Sequence, residues 1–305
     1  MSTALFNKPQ TLNPRILITG CAQNCGAWLP AVLGNVERLR SLCGTSQVLL
    51  LENDSSDTTV EILRAYASTT YGVHALSFPG LNHRIPAKTV RLAHLRNTAL
   101  AWLERHGGWQ SIDWLVVLDL DGVNAAPWDL AQLQRCLAWW QQQPHAAGLF
   151  ANQRGGYYDL WALRHPQLCA DDVWAAMLDL HGLQPQLSDA DLLAAVYAPR
   201  QFSLDPGADP VEVDSAFGGL AIYSSPWLAR ATAHYCGEQP ICWSSAQGER
   251  WLRWQSCEHV ALHRQLRAVG GRLWIHPALI NWDMTTAEAQ GVRPNPSGWR
   301  HLALA

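Results

Sequence analysis

In the first 120 residues of the chain, short apolar runs alternate with segments of helical periodicity, and this alternation constrains the fold more than any other feature. Strands are predicted at 15–20, 47–51, 73–78 and 114–118, and helices at 28–42, 60–66 and 92–106. A helix that connects two such strands makes a right-handed crossover between parallel strands. The pattern therefore predicts an α/β protein with a central, mostly parallel sheet flanked by helices.

The second half of the chain is less regular. Strands are predicted at 147–152, 159–163, 217–223 and 272–277, with 211–214 leading into the third of them and a long helix at 249–269. The stretch 184–210 is rich in proline and aspartate and is predicted to be a loop. No repeat, low-complexity tract or interdomain linker interrupts the 305 residues. A single domain spanning 1–305 is therefore expected.

Two aspartates, Asp119 and Asp121, directly follow the apolar run 114–118, which is typical of a strand buried on both faces. Alternate residues of a strand point the same way, so the two carboxylates would project together if the strand continued. Open α/β sheets bind ligands at this end of their strands. Carboxylate oxygens suit Mn²⁺ or Mg²⁺, which keep positions for substrate phosphates. The pair is predicted to bind such a cation, with a helix cap or a turn at Gly122 as the structural alternative.

Composition excludes several classes of protein. The formal net charge is −3 and no basic run occurs, which argues against a nucleic-acid binder that depends on phosphate neutralisation. The eight cysteines show no Cys-x-x-Cys spacing, so buried thiols are expected rather than a zinc cage or disulfides. Residues 1–14 lack the features of a signal peptide, and no run approaches the roughly 20 apolar residues of a membrane span. A cytoplasmic protein is expected, with peripheral contact at the inner face of a membrane left open.

Polar side chains in two further segments have the chemistry of nucleotide recognition. Glu52, Asn53 and Asp54 follow the second strand and can accept hydrogen bonds from a base and a ribose, although residues 55–57 can also cap the next helix. Arg96 lies on the helix before the aspartate pair, and its guanidinium suits bidentate phosphate contact. Arg91 either shares that role or is a solvated side chain.

Several motifs in a fixed order resemble the GT-A nucleotide-sugar glycosyltransferases. They are Leu51 to Thr59, Arg84-Ile85-Pro86, Leu95 to Leu100, the Asp119-Leu120-Asp121 triplet, Tyr158 to Arg164, Val213-Asp214-Ser215 with Gly218-Gly219, and Cys257-Glu258-His259 through His276-Pro277. More narrowly, they resemble the fungal capsule-associated α-mannosyltransferases. That family often carries Asn-Asp where this chain has Asp119-Leu120-Asp121, so the chain departs from the family pattern at this position.

The resemblance implies a GT-A, Rossmann-like domain with a nucleotide-binding half at about 15–125 and an acceptor-side half at about 126–305. It implies base recognition at residues 52–54 and a metal ion held by Asp119, Asp121 and, as a third ligand, His276. The implied donor is a GDP- or UDP-sugar, with GDP-mannose favoured. The implied acceptor is a glycan or lipid-linked hydroxyl in surface polysaccharide synthesis, and the implied stereochemistry is retention.

The same resemblance places catalytic groups in the second half. Glu258 corresponds to the carboxylate that deprotonates the acceptor in inverting relatives, whereas in retaining ones the leaving phosphate takes that proton. Asp214 is expected to bond sugar hydroxyls, or else to belong to a turn. Gly218-Gly219 would let the backbone approach the donor sugar, or form a bulge. His259 and His263 have the i, i+4 spacing of helical metal ligands, but core or solvated histidines are favoured.

The sequence bears on three alternative functions. A dinucleotide-dependent oxidoreductase would need Gly-x-Gly-x-x-Gly after the first strand, and residues 20–26 do not provide it. A nucleotidylyltransferase would need a glycine-rich phosphate loop near the N-terminus, which is absent as well. A catalytically inactive carbohydrate- or nucleotide-sugar-binding protein on the same fold remains the main alternative to an enzyme.

Overall fold

A computed structural model of the protein describes residues 13–285 and 302–304. The polar N-terminal segment predicted at 1–14 therefore lies outside the described residues except for its last two positions.

The described chain contains eleven strands and nine α-helices. The strands are β1 (Arg15–Ala22), β2 (Thr45–Glu52), β3 (Val73–Ser77), β4 (Trp114–Asp119), β5 (Ala146–Arg154), β6 (Val211–Val213), β7 (Leu220–Ser224), β8 (Glu238–Ser245), β9 (Gly248–Gln255), β10 (Arg272–Asp283) and β11 (Ala303–Leu304). The helices are α1 (Leu29–Arg40), α2 (Thr59–Thr69), α3 (Leu81–Arg84), α4 (Lys88–Arg105), α5 (Leu130–Gln141), α6 (Val173–Leu183), α7 (Asp189–Leu192), α8 (Ser225–Ala231) and α9 (Glu258–Ala268).

Eight strands form one sheet in the order β3-β2-β1-β4-β7-β5-β10-β6. The first four strands are parallel, and β5 and β10 are parallel to each other. Only β7 and β6 run against their neighbours. The predicted α/β architecture with a central, mostly parallel sheet is thus confirmed.

Helices cover both faces of this sheet because its strands are apolar on both sides. In β1, for example, Ile16 and Ile18 contribute to one core and Leu17 to the other. Helices α1, α2 and α5 pack on the first core, and α4, α6, α8 and α9 pack on the second. Each strand is therefore fixed in register from above and below, which holds the residues at its carboxyl end in place.

A smaller sheet in the order β11-β9-β8 corrects the helix predicted at 249–269. Residues 248–255 form strand β9, and the helix is limited to α9. Strands β8 and β9 form a hairpin in which Ser245 pairs with Gly248, whose φ of +108° suits the turn. Trp254 is buried whereas Trp251 is exposed. Pairing with β8 along its whole length therefore overrode a sequence that also fits a helix.

Two other expectations for the second half were wrong. The segment predicted as a strand at 159–163 is irregular, because the Asp159 carboxylate accepts the Ala162 N–H at 3.3 Å and bends the chain. The predicted loop at 184–210 contains α7 and further helical turns to Arg200, so that only residues 184–188 and 201–210 are irregular.

All eight cysteines are free thiols, and four of them are buried: Cys25, Cys136, Cys169 and Cys257. Of the helices in the described part of the chain, none has the length and apolar composition needed to cross a membrane.

Candidate functional site

A pocket of about 230 Å³ lies at the carboxyl ends of β1 and β4. The chain leaves β1 for β2 on one side, and β4 lies on the other, so this is the point where the strand order reverses. Open α/β sheets bind ligands at such a switch point. The pocket is lined by Cys21, Ala22, Gln23, Cys25, Asn53, Lys88, Arg91, Leu92, Asp119, Leu120 and Asp121.

Asp119 is the last residue of β4, and its side chain is about one-third exposed. Its Oδ1 accepts from Arg96 Nη2 at 3.4 Å, and its Oδ2 accepts from the Tyr158 hydroxyl at 3.4 Å. Burial and, next, the negative charge of Asp121 raise the pKa of Asp119. Two carboxylates that repel each other in this way create a site that favours a cation.

Asp121 lines the same pocket, although strand β4 does not continue as far as this residue. Strand β4 ends at Asp119, Leu120 turns into the core, and the Asp121 carboxylate caps the helical turn Gly122–Asn124 by accepting the Val123 N–H at 3.2 Å. The capping alternative therefore coexists with a place in the pocket. Asp121 is exposed, yet the surrounding pocket walls raise its pKa by desolvation.

Two cationic side chains on the first turn of α4 line the pocket opposite the aspartates. Arg91 donates from Nη1 to the carbonyl oxygens of Ile85 and Pro86, at 2.8 and 3.1 Å. Lys88 is exposed and close enough to Asp121 to oppose the rise of its pKa. Lys88 was not among the predicted site residues, because the predicted helix starts only at residue 92. Its position two residues after Pro86 is the signal that could have revealed it.

Two of the three residues at 52–54 form hydrogen bonds to neighbouring loops. Glu52 accepts the Ser55 N–H at 2.7 Å and the Ser77 hydroxyl, and Asp54 accepts the N–H groups of Gly80 and Asn82. These backbone hydrogen bonds lower the pKa of Asp54. Of the three predicted base-binding residues, only Asn53 lines the pocket.

Helix capping, the structural alternative for this segment, is present as well. The Asp57 carboxylate accepts the Thr59 N–H at 3.0 Å where α2 begins.

Arg96 and Glu258 are brought together, but inside the protein. Arg96 is 3% exposed and Glu258 is 4% exposed. Arg96 Nε donates to Glu258 Oε1 at 2.9 Å. A buried carboxylate needs such a partner, since an unpaired buried charge is strongly destabilising. Arg96 therefore does not occupy the predicted phosphate-binding position, and Glu258 is paired instead of facing an acceptor.

The structure separates Asp214 and His276 from the aspartate pair. Asp214 lines another cavity, of about 620 Å³, and pairs with Arg267 at 2.9 Å. His276 packs edge-on against Trp139, with ring centroids 5.2 Å apart, and its Nδ1 accepts the Ala278 N–H at 3.3 Å. The predicted sugar contact and third metal ligand are thus not at the pocket. Across 13–285 and 302–304, no cluster of three or more histidine, cysteine or acidic side chains is arranged to hold a metal ion.

The double glycine forms a tight turn beside the pocket. Gly218 and Gly219 have φ of +65° and +79°. The Gly219 carbonyl accepts the Asp119 N–H at 2.9 Å, and the Gly218 N–H donates to Asp159 at 3.2 Å. Asp159 was not predicted as a site residue, and burial raises its pKa to about 6. The turn thus fixes the end of β4 and brings a third carboxylate near Asp119.

His259 and His263 are core residues, as the favoured interpretation had it. His263 shares hydrogen bonds with the Ser215 hydroxyl at 2.7 Å and the Tyr223 hydroxyl at 2.8 Å, and His259 stacks on Phe217. Burial lowers the pKa of both rings, that of His263 to about 3. They are neutral packing groups at neutral pH.

This burial predicts a pH dependence of stability to which both rings contribute, and the His263 contribution can be isolated by substitution. The pKa of His263 is about 6.5 in the unfolded chain and about 3 in the folded one. Between these pH values only the unfolded chain binds the proton, so the free energy of unfolding decreases as the pH is lowered. From pH 7 to pH 5 this contribution is about 2 kcal/mol. In the His263→Gln variant, urea unfolding is expected to show a difference between these pH values that is smaller by about that amount. The exposed His94→Gln variant is the control, and an equal effect in both variants would contradict the assignment.

Comparisons with known proteins give likenesses to solved structures alone. No protein-family model matches the chain, and no curated protein does. The mannosyltransferase PcManGT from Pyrobaculum calidifontis, solved with GDP-Man and Mn²⁺, is similar with a TM-score of 0.47 and 15% identity over 91% of this chain and 59% of that one. TarS 1–349 of S. aureus is similar with a TM-score of 0.44 and 12% identity over 86% and 57% of the two chains.

A third likeness is to glucosyl-3-phosphoglycerate synthase from Mycobacterium tuberculosis, solved with Mn²⁺, UDP and phosphoglyceric acid. The TM-score is 0.39, with 16% identity over 88% of this chain and 67% of that one. The chain spans less than three-fifths of the length of the first two structures. The fold of this chain is defined by its own strand order, and its site by the pocket at the switch point.

Proposed function

We propose that the protein is a metal-dependent glycosyltransferase that moves a sugar from a nucleoside-diphosphate sugar to a hydroxyl group. One observation carries the proposal: the switch-point pocket sets Asp119 and Asp121 against Lys88 and Arg91. Carboxylates for a hard cation and cations for phosphates are the two charge requirements of a bound metal diphosphate.

The residues present fit Mn²⁺ or Mg²⁺ in charge and in kind. The Asp121 carboxylate is exposed and accepts the Val123 N–H at 3.2 Å, which leaves oxygen lone pairs for a metal. Asp119 is partly exposed beside it. Two carboxylates are a sparse protein ligand set, as these ions prefer when they also carry water and phosphate oxygens. When bound, the ion neutralises the negative charge that develops on the departing diphosphate.

The remaining pocket residues have roles that follow from their chemistry. Lys88 and Arg91 contact the diphosphate, and the first turn of α4 adds its backbone N–H groups, since the preceding Ala87 provides no side-chain cap. Asn53 hydrogen-bonds the base or ribose edge. These groups hold the donor, so that its sugar lies on the side of Tyr158 and Gly219.

The finer assignments extend the same proposal. The motif resemblance supports GDP-mannose as the donor and a glycan or glycolipid acceptor in surface polysaccharide synthesis. We also propose a cytoplasmic location, in keeping with the composition. Retention of configuration is supported by the same resemblance and by the pairing of Glu258 with Arg96, which leaves that carboxylate without access to an acceptor. One domain, spanning the whole chain, contains both binding halves.

The proposal predicts ligand-dependent stabilisation that needs both a metal and a diphosphate. Thermal unfolding is measured with GDP, UDP and their sugars, each with and without Mn²⁺. A ligand at 100 times its Kd stabilises the folded state by about 2.7 kcal/mol, so a clear rise in Tm is expected with Mn²⁺ and a matching nucleotide. No rise with any pair would contradict the proposal.

Arg91→Met is expected to weaken nucleoside-diphosphate binding strongly and nucleoside binding little, because only the diphosphate carries the charge that it contacts. Arg84→Met is the matched control, since Arg84 is exposed and donates to the Pro79 carbonyl away from the pocket. If both variants lose the same nucleoside-diphosphate affinity, Arg91 does not contact the diphosphate.

A different result would favour the main alternative function. Tight binding of a nucleotide sugar without transfer or hydrolysis would indicate an inactive binding protein and not an enzyme.

A further inference from the structure

Three charged residues from distant parts of the chain meet behind the pocket. Arg96 lies in the middle of α4, Asp119 ends β4, and Glu258 begins α9. Arg96 donates to both carboxylates, through Nε to Glu258 at 2.9 Å and through Nη2 to Asp119 at 3.4 Å. The guanidinium thus joins an inner, buried carboxylate to the outer one that lines the pocket.

Aromatic rings fix the position of this guanidinium. Its central carbon lies 5.2 Å from the centre of the Phe217 ring and 5.8 Å from that of Tyr235. Its third nitrogen, Nη1, is buried and has no hydrogen-bond partner among the described residues. The arginine is therefore enclosed on all sides, and no part of it extends into the pocket where a phosphate would bind.

The Asp119 carboxylate is held at both of its oxygens. Arg96 donates to Oδ1, and the Tyr158 hydroxyl donates to Oδ2, each at 3.4 Å. Two donors on opposite oxygens limit rotation of the carboxylate about its χ2 angle. Groups that orient a metal ligand in this way typically change metal affinity by 10–100-fold when they are removed.

We propose that Arg96 is a positioning residue for the metal site. It contacts no substrate phosphate; it holds the Asp119 carboxylate toward the pocket, and Glu258 holds Arg96 in turn. Without Arg96, Asp119 would turn away from Asp121 to reduce the repulsion between the two carboxylates. The inference rests on the proposed metal site. It gives Arg96 a positioning role at that site in place of the phosphate contact that the sequence predicted.

The test separates positioning from simple stability. Arg96→Met leaves Glu258 buried and unpaired, so this variant is expected to be destabilised. Arg96→Met/Glu258→Met replaces the whole buried pair by apolar side chains, an exchange that is often neutral for stability. Unfolding by urea is measured without metal, and the Kd for Mn²⁺ is measured from the free-ion signal in electron paramagnetic resonance.

The double variant is expected to regain most of the stability that Arg96→Met loses, and to bind Mn²⁺ 10–100-fold more weakly than the unaltered protein. The matched control is Arg164→Met/Asp172→Asn, which removes another buried pair, 3.0 Å apart, that does not contact Asp119. This control is expected to retain the Mn²⁺ affinity of the unaltered protein.

Two results would overturn the inference. If the unaltered protein binds Mn²⁺ and the Arg96→Met/Glu258→Met variant binds it equally well, Arg96 has a structural role only, and the proposed function stands. If the unaltered protein does not bind Mn²⁺ with or without GDP, the metal site and the positioning role fail together. Recovery of Mn²⁺ affinity in Arg96→Lys, which keeps the charge near Asp119, would support the role further.

Discussion

The Asp121→Asn variant is expected to lose Mn²⁺-dependent nucleoside-diphosphate binding by more than about 100-fold, which exceeds the usual effect of altering a group behind a metal ligand. The substitution removes the negative charge that a metal needs. The amide oxygen can still accept the Val123 N–H, so the helical turn keeps its cap. Stability is expected to change by less than about 1 kcal/mol, since Asn and Asp cap nearly equally well. Calorimetric titration with Mn²⁺ and GDP, together with urea unfolding, measures both effects.

The control for Asp121→Asn is Asp129→Asn. Asp129 is also an exposed aspartate that caps a helix, by accepting the Gln132 N–H at 3.0 Å, but it lies outside the switch-point pocket. Its substitution should leave nucleotide binding unaffected. Undiminished Mn²⁺-dependent binding in Asp121→Asn would show that the aspartate only caps the turn, which was the structural alternative for this residue.

Gly218→Ala is expected to destabilise the protein by about 2–4 kcal/mol, within the range of strained backbone combined with overpacking. Its φ of +65° disfavours any side chain, and an added Cβ would lie 2.6 Å from the Ala151 carbonyl oxygen. The neighbouring carbonyl of Gly219 bonds the N–H of Asp119, so movement of this turn also displaces the end of β4. Urea unfolding is expected to show a lower midpoint with an unchanged slope.

Gly80→Ala separates the two causes of that loss. Gly80 has a similar φ, +74°, but no heavy atom within 4 Å of an added Cβ. The Gly80→Ala substitution should therefore cost only the free energy of placing a Cβ in the left-handed backbone conformation, about 1–2 kcal/mol. If the two variants lose equal stability, the close approach of the added Cβ to the Ala151 carbonyl oxygen contributes nothing, and the turn at Gly218 can relax to relieve it.

The cationic side chains at and behind the pocket lie at two depths and have different neighbours. Lys88 and Arg91 lie at the pocket wall, where a ligand can reach them. Arg96 lies one layer deeper and is committed to Glu258 and Asp119. Side-chain chemistry alone does not distinguish these arginines, because a guanidinium suits a carboxylate as well as a phosphate. Burial decides between them.

The sequence by itself determined the mostly parallel sheet and the place of the aspartate pair. Apolar runs such as 114–118 are short and uninterrupted, and the alternation with helical segments leaves little choice but parallel strands with crossovers. Because a charged carboxylate is costly inside a strand buried on both faces, Asp119 was expected to mark its end. These are local properties of the chain, so local patterns are sufficient to predict them.

Only the tertiary structure decided which of the predicted site residues meet. Arg96 and Glu258 are 162 positions apart, and their pairing depends on how α4 and α9 pack on the same face of the sheet. The same packing left Asp214 beside Arg267, and His276 against Trp139, both away from the pocket. The β8–β9 hairpin likewise formed where the sequence fits a helix. Contacts of this kind depend on long-range packing and burial, which spacing along the chain does not specify.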